Sequence, residues 1–164
     1  TSMGSVKGWL GQVLDYACNE EKTNWIKYEM DGFDALDYAT NPTKTEEQHL
    51  VSGINCDWAI ARQQMQLTKK SAHDESEIVA YHGYQAFMPD EVTPELAHQI
   101  GVQLAQELWG REYQVVVATH VDQEHIHNHF VLSPVSITGG NRYRHSNDDI
   151  RAMRRVNDRL CKEY

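Results

Sequence analysis

Apolar residues along this chain switch between two spacings, and the switches mark its elements. Leu96, Ile100, Leu104 and Leu108 recur every fourth position, as one face of a helix requires. Thr93, Pro94 and Glu95 supply an N-cap, a first-turn proline and a first-turn acid, and Gly110 supplies a stop. A second helix is expected over 57–70, with Lys69 and Lys70 at its C-terminal end, and a third over 147–164, with Ile150, Met153 and Leu160 turned inward. Near the start, Trp9, Leu10, Val13 and Leu14 open a short helix that runs into Tyr16, Ala17 and Asn19. The same phrase returns once, as Leu36, Asp37, Tyr38, Ala39 and Asn41, so each tyrosine is expected near a helix C-terminus. Residues 78–87, 113–119 and 126–135 are rich in strand formers, and the last two, joined by a few polar residues, predict an antiparallel hairpin. Residues 50–55 read as a short strand or loop, 71–77 as a polar loop, and Gly139 and Gly140 as a turn. For a first strand only Ser5, Val6 and Lys7 are available, because Thr1 to Gly4 reads as an expression scar. Strands broken by helices in this order predict an α+β fold, a central antiparallel sheet with helices packed on it and a histidine-rich strand inside.

Composition narrows the picture. At 164 residues, 40% hydrophobic and 24% charged, the chain is the size of one domain with its own core, which disfavours disorder. No apolar run approaches the roughly 18–20 residues that span a bilayer, and no signal peptide is legible, so a cytoplasmic protein is expected. Cys18, Cys56 and Cys161 are odd in number and contain no CxxC pair, which fits reduced thiols. A net charge of -9 excludes an indiscriminate nucleic-acid binder, since phosphate binding rests on clustered cations. The last quarter is nonetheless locally basic. Arg142, Tyr143 and Arg144, with Arg151, Arg154 and Arg155 on the final helix, predict contacts to a DNA backbone and a stacked base, against the plainer reading of a solvated face.

Nine histidines stand out, four of them at positions 120, 125, 127 and 129. On a strand His127 and His129 share a face, with Ile126, Asn128 and Phe130 opposite, and His120 at the end of the preceding strand leans over the same spot. Three imidazoles with an open position suit a borderline divalent cation. Asp122 is close enough to hold the second nitrogen of a ligand histidine. His125 has the opposite parity and is expected to face solvent. His82, between Tyr81 and Tyr84, reads first as a buried, hydrogen-bonded histidine, with an approach to this spot as the alternative. His49, His73, His98 and His145 carry no functional expectation.

The pattern HxDxxHxHNHFV from His120 to Val131 follows a Tyr-x-x-Asn-x-x-Lys-Thr motif and the run Val51, Ser52, Gly53, Ile54, Asn55, Cys56. In that order the motifs resemble the MOBP-type relaxase, or mobilisation nuclease, domain of conjugative and mobilisable elements, of the HUH endonuclease class. The resemblance covers essentially the whole chain and implies a single relaxase domain over 1–164, the N-terminal part of a longer protein. It implies a nicking and rejoining enzyme in which a histidine pair holds one divalent metal ion (Mg, Mn, Zn or Ni), here within the triad His120, His127 and His129, and a tyrosine attacks the scissile phosphate of single-stranded transfer-origin DNA. Accessory relaxosome proteins and a coupling protein are the implied partners.

The chemistry suits the residue types. A divalent ion offsets the negative oxygens that repel a nucleophile, and a tyrosine hydroxyl can then attack in line to leave a 5′-phosphotyrosine. Two tyrosines qualify. Tyr38 is preferred on its spacing to the Asn55-Cys56 pair, and Tyr16 better fits a nucleophile near the N-terminus. Asp122 or His125 is available as the proton acceptor. Two other readings keep the metal without the covalent step: a module that only recognises origin DNA, and a phosphoesterase that uses metal-bound hydroxide. Covalent capture of DNA separates them.

Overall fold

In the computed structural model, which describes residues 1–8, 10–23, 50–121 and 125–164, the expected strand formers pair into one sheet. Its strands are β1 (Ser2–Lys7), β2 (Val51–Ile54), β3 (Ile78–Ala86), β4 (Val115–His120) and β5 (His127–Leu132), all antiparallel, in the order β1-β3-β5-β4-β2. The first strand is longer than the sequence suggested. Ser2, Met3 and Gly4 pair with Tyr84, Gly83 and His82, so residues read as a scar form the edge of the sheet.

Helices cover both faces, which is why β4 and β5 are buried at every position and read as near-continuous apolar runs. One face is covered by α1 (Leu10–Ala17), through Leu10, Leu14 and Ala17, and by α3 (Ala61–Ser71), through Ala61 and Met65. Between them in sequence lies α2 (Glu20–Thr23), a single turn. The α3 helix starts behind a short 3-10 turn (Trp58–Ile60) capped by Asp57, whose carboxylate accepts from the Ala59 amide. On the other face Ala97, Ile100, Leu104, Ala105 and Trp109 of α4 (Pro94–Trp109) pack with Met153 and Leu160 of α5 (Asn147–Glu163) against Val115, Val117, Phe130 and Leu132. The α4 start is as expected, with Thr93 capping the Leu96 amide. The α5 helix begins with a capping box between Ser146 and Asp149. No described helix is long and apolar enough to cross a membrane.

The Gly53 to Cys56 run has a structural explanation. Asn55 adopts a left-handed backbone (φ 55°), and its amide donates to the carbonyls of Gly110 and Tyr113 at 2.7 and 2.8 Å, tying β2 to the end of α4. A side chain at Gly53 would collide with the Cys56 carbonyl, so the turn accepts only glycine.

A buried polar chain runs under the sheet on the α4 side. Asn128 donates to Gln85 Oε1 and to the Ala97 carbonyl, and its own carbonyl accepts from the Thr119 hydroxyl at 2.6 Å. His98 joins Thr119 to Ser52, and Gln85 continues to Asn157. The helix comes this close because residue 101 is glycine: a Cβ there would overlap the Asn128 amide, which three hydrogen bonds hold in place. Gly101→Ala is therefore expected to destabilise the fold by about 1–3 kcal/mol, read as a lower urea midpoint. An unchanged midpoint would show that the contact yields without cost.

Candidate metal centre and tyrosine

Strand register builds the centre. His120 pairs with His127, and Ala118 pairs with His129, so the three imidazoles rise from one face at the end of the central hairpin. That face carries α1. The three rings form a tight cluster, with centroids 4.1 Å apart for His120 and His129, 4.9 Å for His127 and His129, and 5.1 Å for His120 and His127. One ligand nitrogen from each lies within 4.8 Å of the others, and all three residues are buried.

Hydrogen bonds set which nitrogen is presented. His120 Nε2 donates to the Ala17 carbonyl at 2.9 Å, and His127 Nδ1 donates to the His125 carbonyl at 3.0 Å. A carbonyl only accepts, so the proton of each ring is fixed there, and His120 Nδ1 and His127 Nε2 become the acceptor nitrogens. His129 Nδ1 lies 2.8 Å from His82 Nε2, with the two rings stacked at 11°, while His129 Nε2 is buried with no hydrogen-bond partner. An orphaned buried nitrogen is costly unless something binds it. Burial, followed by the neighbouring His120, His82, His127 and Lys22, pushes the His129 pKa down to about 2, so its ring is neutral and ready to ligate. The residues present fit a divalent cation: three buried imidazoles, each with one ring nitrogen within 4.8 Å of the others, and no carboxylate in that described cluster.

Two part-exposed tyrosines border the cluster. Tyr16, at the end of α1 and 49% exposed, sets its ring 5.5 Å from His120 and 5.4 Å from His129. Tyr84, on β3 and 37% exposed, approaches His127 and His129 at 5.2 and 5.5 Å. The Lys22 ammonium stands 4.4 Å from the Tyr16 ring centroid.

Several sequence expectations land elsewhere. Tyr38 and Asp122 lie outside the described residues. Among those described, the anchoring expected of Asp122 is carried out by Ala17, His125 and His82. The basic segment does not line the centre. Arg142 and Arg144 follow the Leu132 end of β5, where Ser133 and Ile137 bond Gln114 and Glu112, a strand length of roughly 17 Å from the His127 end. Arg142 itself pairs with Asp74. Tyr143 is buried against Tyr81 and Tyr113, and burial pushes its hydroxyl up to about 12, so its ring is core and presents no face to a base. Arg151, Arg154 and Arg155 are exposed on α5, which packs on the sheet face opposite the histidines. Sequence reasoning missed Tyr84 and Lys22. The parity of β3 puts Ala80, His82 and Tyr84 on one face, but only the β3–β5 pairing brings that face to the triad.

The family model for the relaxase nuclease domain of the MobA/VirD2-like type matches residues 38–164. Among curated proteins, Protein rlx of Staphylococcus aureus is 34% identical over 129 residues, covering 79% of this chain and 38% of the relative. The group II intron-interrupted relaxase LtrB of Lactococcus lactis subsp. cremoris is 32% identical over 161 residues, covering 82% of this chain and 29% of the relative. The chain thus spans roughly a third of the length of the relatives it matches.

The buried neutral histidine makes the metal-free protein acid-sensitive. His129 takes a proton near 6.5 in the unfolded chain and only near about 2 when folded, so the stability it contributes is whole above 6.5 and is lost as the pH falls below that value. His82, also pushed down by burial, acts in the same direction. Between about pH 7 and about pH 5 the urea midpoint of chelator-treated protein is expected to fall, and to fall less in His129→Leu. Parallel curves for the two proteins would contradict this.

Proposed function

This chain belongs to the family of MobA/VirD2-like relaxase nuclease domains, and on that premise we propose that it nicks one strand of transfer-origin DNA through Tyr16 and later rejoins it. The observation that carries the reading is the ring of Tyr16, half exposed and set edge-on against two histidines of a buried triad. Tyr38, preferred on spacing, lies outside the described residues, and the nucleophile is proposed to be Tyr16 on the geometry of its ring.

In this mechanism His120, His127 and His129 would hold a divalent cation, which would supply positive charge at the scissile phosphate. Tyr16 Oη attacks phosphorus, its bond to phosphorus forms as the bond to the 3′-oxygen breaks, and the 5′ end stays on the enzyme as a phosphotyrosine. The phenolic proton passes to Asp122, and the departing 3′-oxygen takes up a proton to become a hydroxyl. Rejoining is the reverse, with the 3′-hydroxyl attacking the phosphotyrosine. The α1 helix contributes position: Leu10, Leu14 and Ala17 are buried against the sheet, and the Ala17 carbonyl, one residue past the nucleophile, bonds His120. Nucleophile and ligand are thereby held by the same turn of backbone.

The single strand is proposed to run across the α1 side of the sheet, over Tyr16 and Tyr84, with Tyr84 as a platform for a base. Accessory relaxosome proteins and a coupling protein are the proposed partners, and the cytoplasm, where the three cysteines stay reduced, is the proposed compartment. Incubated with a divalent ion and labelled single-stranded oligonucleotides tiling the transfer origin, the protein is expected to form a denaturant-resistant adduct. Tyr16→Phe is expected to abolish that adduct while metal affinity is retained. An adduct that persists in Tyr16→Phe and maps to another tyrosine would overturn the assignment, and cleavage with no adduct in any protein would favour a phosphoesterase.

A further inference from the structure

The α2 turn sits where it does for backbone reasons. The Lys22 carbonyl accepts from the Val121 amide at 2.9 Å, one residue past His120, and the Thr23 carbonyl accepts from Leu50. Thr23 is fully buried, with its hydroxyl on the Asn19 carbonyl. These bonds clamp α2 to the end of β4, so the Lys22 side chain starts from a fixed base beside the triad. Its ammonium reaches 4.4 Å from the Tyr16 ring centroid.

A phosphate close enough for attack by the Tyr16 oxygen has both the histidine centre and this ammonium nearby, each in contact with the Tyr16 ring. As the phenol–phosphorus bond forms, negative charge grows on the non-bridging oxygens, and a cation already in place stabilises that charge without rearrangement. In a chain of net charge -9, a cation held at this spot counters a background that otherwise repels phosphate. We propose that Lys22 is a catalytic residue whose ammonium contacts a non-bridging oxygen of the scissile phosphate. The proposal rests on the nuclease reading above.

The test compares an origin oligonucleotide carrying the natural phosphodiester at the nick with one carrying an uncharged methylphosphonate there. In a Tyr16→Phe background, which keeps the ring under the ammonium, Lys22→Met is expected to weaken binding of the phosphodiester on the order of 10-fold and to leave the methylphosphonate within about 2-fold. With Tyr16 intact, Lys22→Met is expected to slow adduct formation on the order of 100-fold, and Lys22→Arg to recover most of the loss. Equal weakening on both oligonucleotides, or weakening on neither, overturns the phosphate contact. An adduct formed by wild type at a rate Lys22→Met does not change overturns Lys22 alone, whereas a wild type that forms no adduct overturns the nuclease reading beneath it.

Discussion

The register between β4 and β5 is the constraint on which the centre depends. His120 opposite His127, and Ala118 opposite His129, put three imidazoles on one face at one end of the sheet. Side chains alternate along a strand, so a slip of one residue would turn His127 and His129 into the α4 core and bring Asn128 and Phe130 out among the ligands. Both faces are closed by helices, and the wrong register would bury charge-capable rings among Val115, Val117 and Leu104. The histidine cluster and the hydrophobic core are therefore specified by the same pairing.

Asn128 locks that register from the opposite face. It lies between two of the histidines in sequence, and its three hydrogen bonds reach β4 through Thr119, β3 through Gln85 and α4 through Ala97. A buried amide satisfied in this way accepts one geometry, whereas an apolar residue would tolerate several. Gly101 allows the helix near enough for the third bond. On the histidine face the corresponding restraints are the carbonyls of Ala17 and His125, which set tautomers as well as ring orientations. The lone departure is His129, held by a side chain, His82, from the neighbouring strand.

Local features were legible in the sequence because their causes are local. Thr93 and Pro94 start a helix through their own chemistry, and the alternation of His127, Asn128 and His129 fixes a face without reference to any other element. Relations across the sheet were not legible. An approach of His82 to the triad was only the second of two readings, because its role depends on β3 lying next to β5, and the same adjacency brings Tyr84 to the rings. The basic run from Arg142 to Arg155 looked continuous with the hairpin because it follows it in sequence. The strand carries the chain away to the far end of the sheet, and α5 then returns on the other side. Tyr143 reads as a polar aromatic between two arginines, yet the Val135 and Arg142 bridge turns the segment so that its ring enters the core. The echo between Tyr16 and Tyr38 left two nucleophiles, and spacing alone favoured the one for which no geometry is described.

The centre couples two requirements that work against each other. Packing imidazoles together and burying them keeps His129 neutral, which suits a ligand, but leaves its Nε2 without a partner. Binding an ion resolves both at once, because the nitrogen gains a bond and the clustered lone pairs face a positive charge. The central claim is that one ion sits on these three nitrogens beside Tyr16. Anomalous diffraction at the metal edge, from crystals of the protein loaded with a single divalent ion, tests it most directly. The account predicts one strong peak bonded to His120 Nδ1, His127 Nε2 and His129 Nε2, with the Tyr16 ring alongside; a peak on His82 or His125 in place of any of the three, or none at the triad at saturating ion, would contradict it.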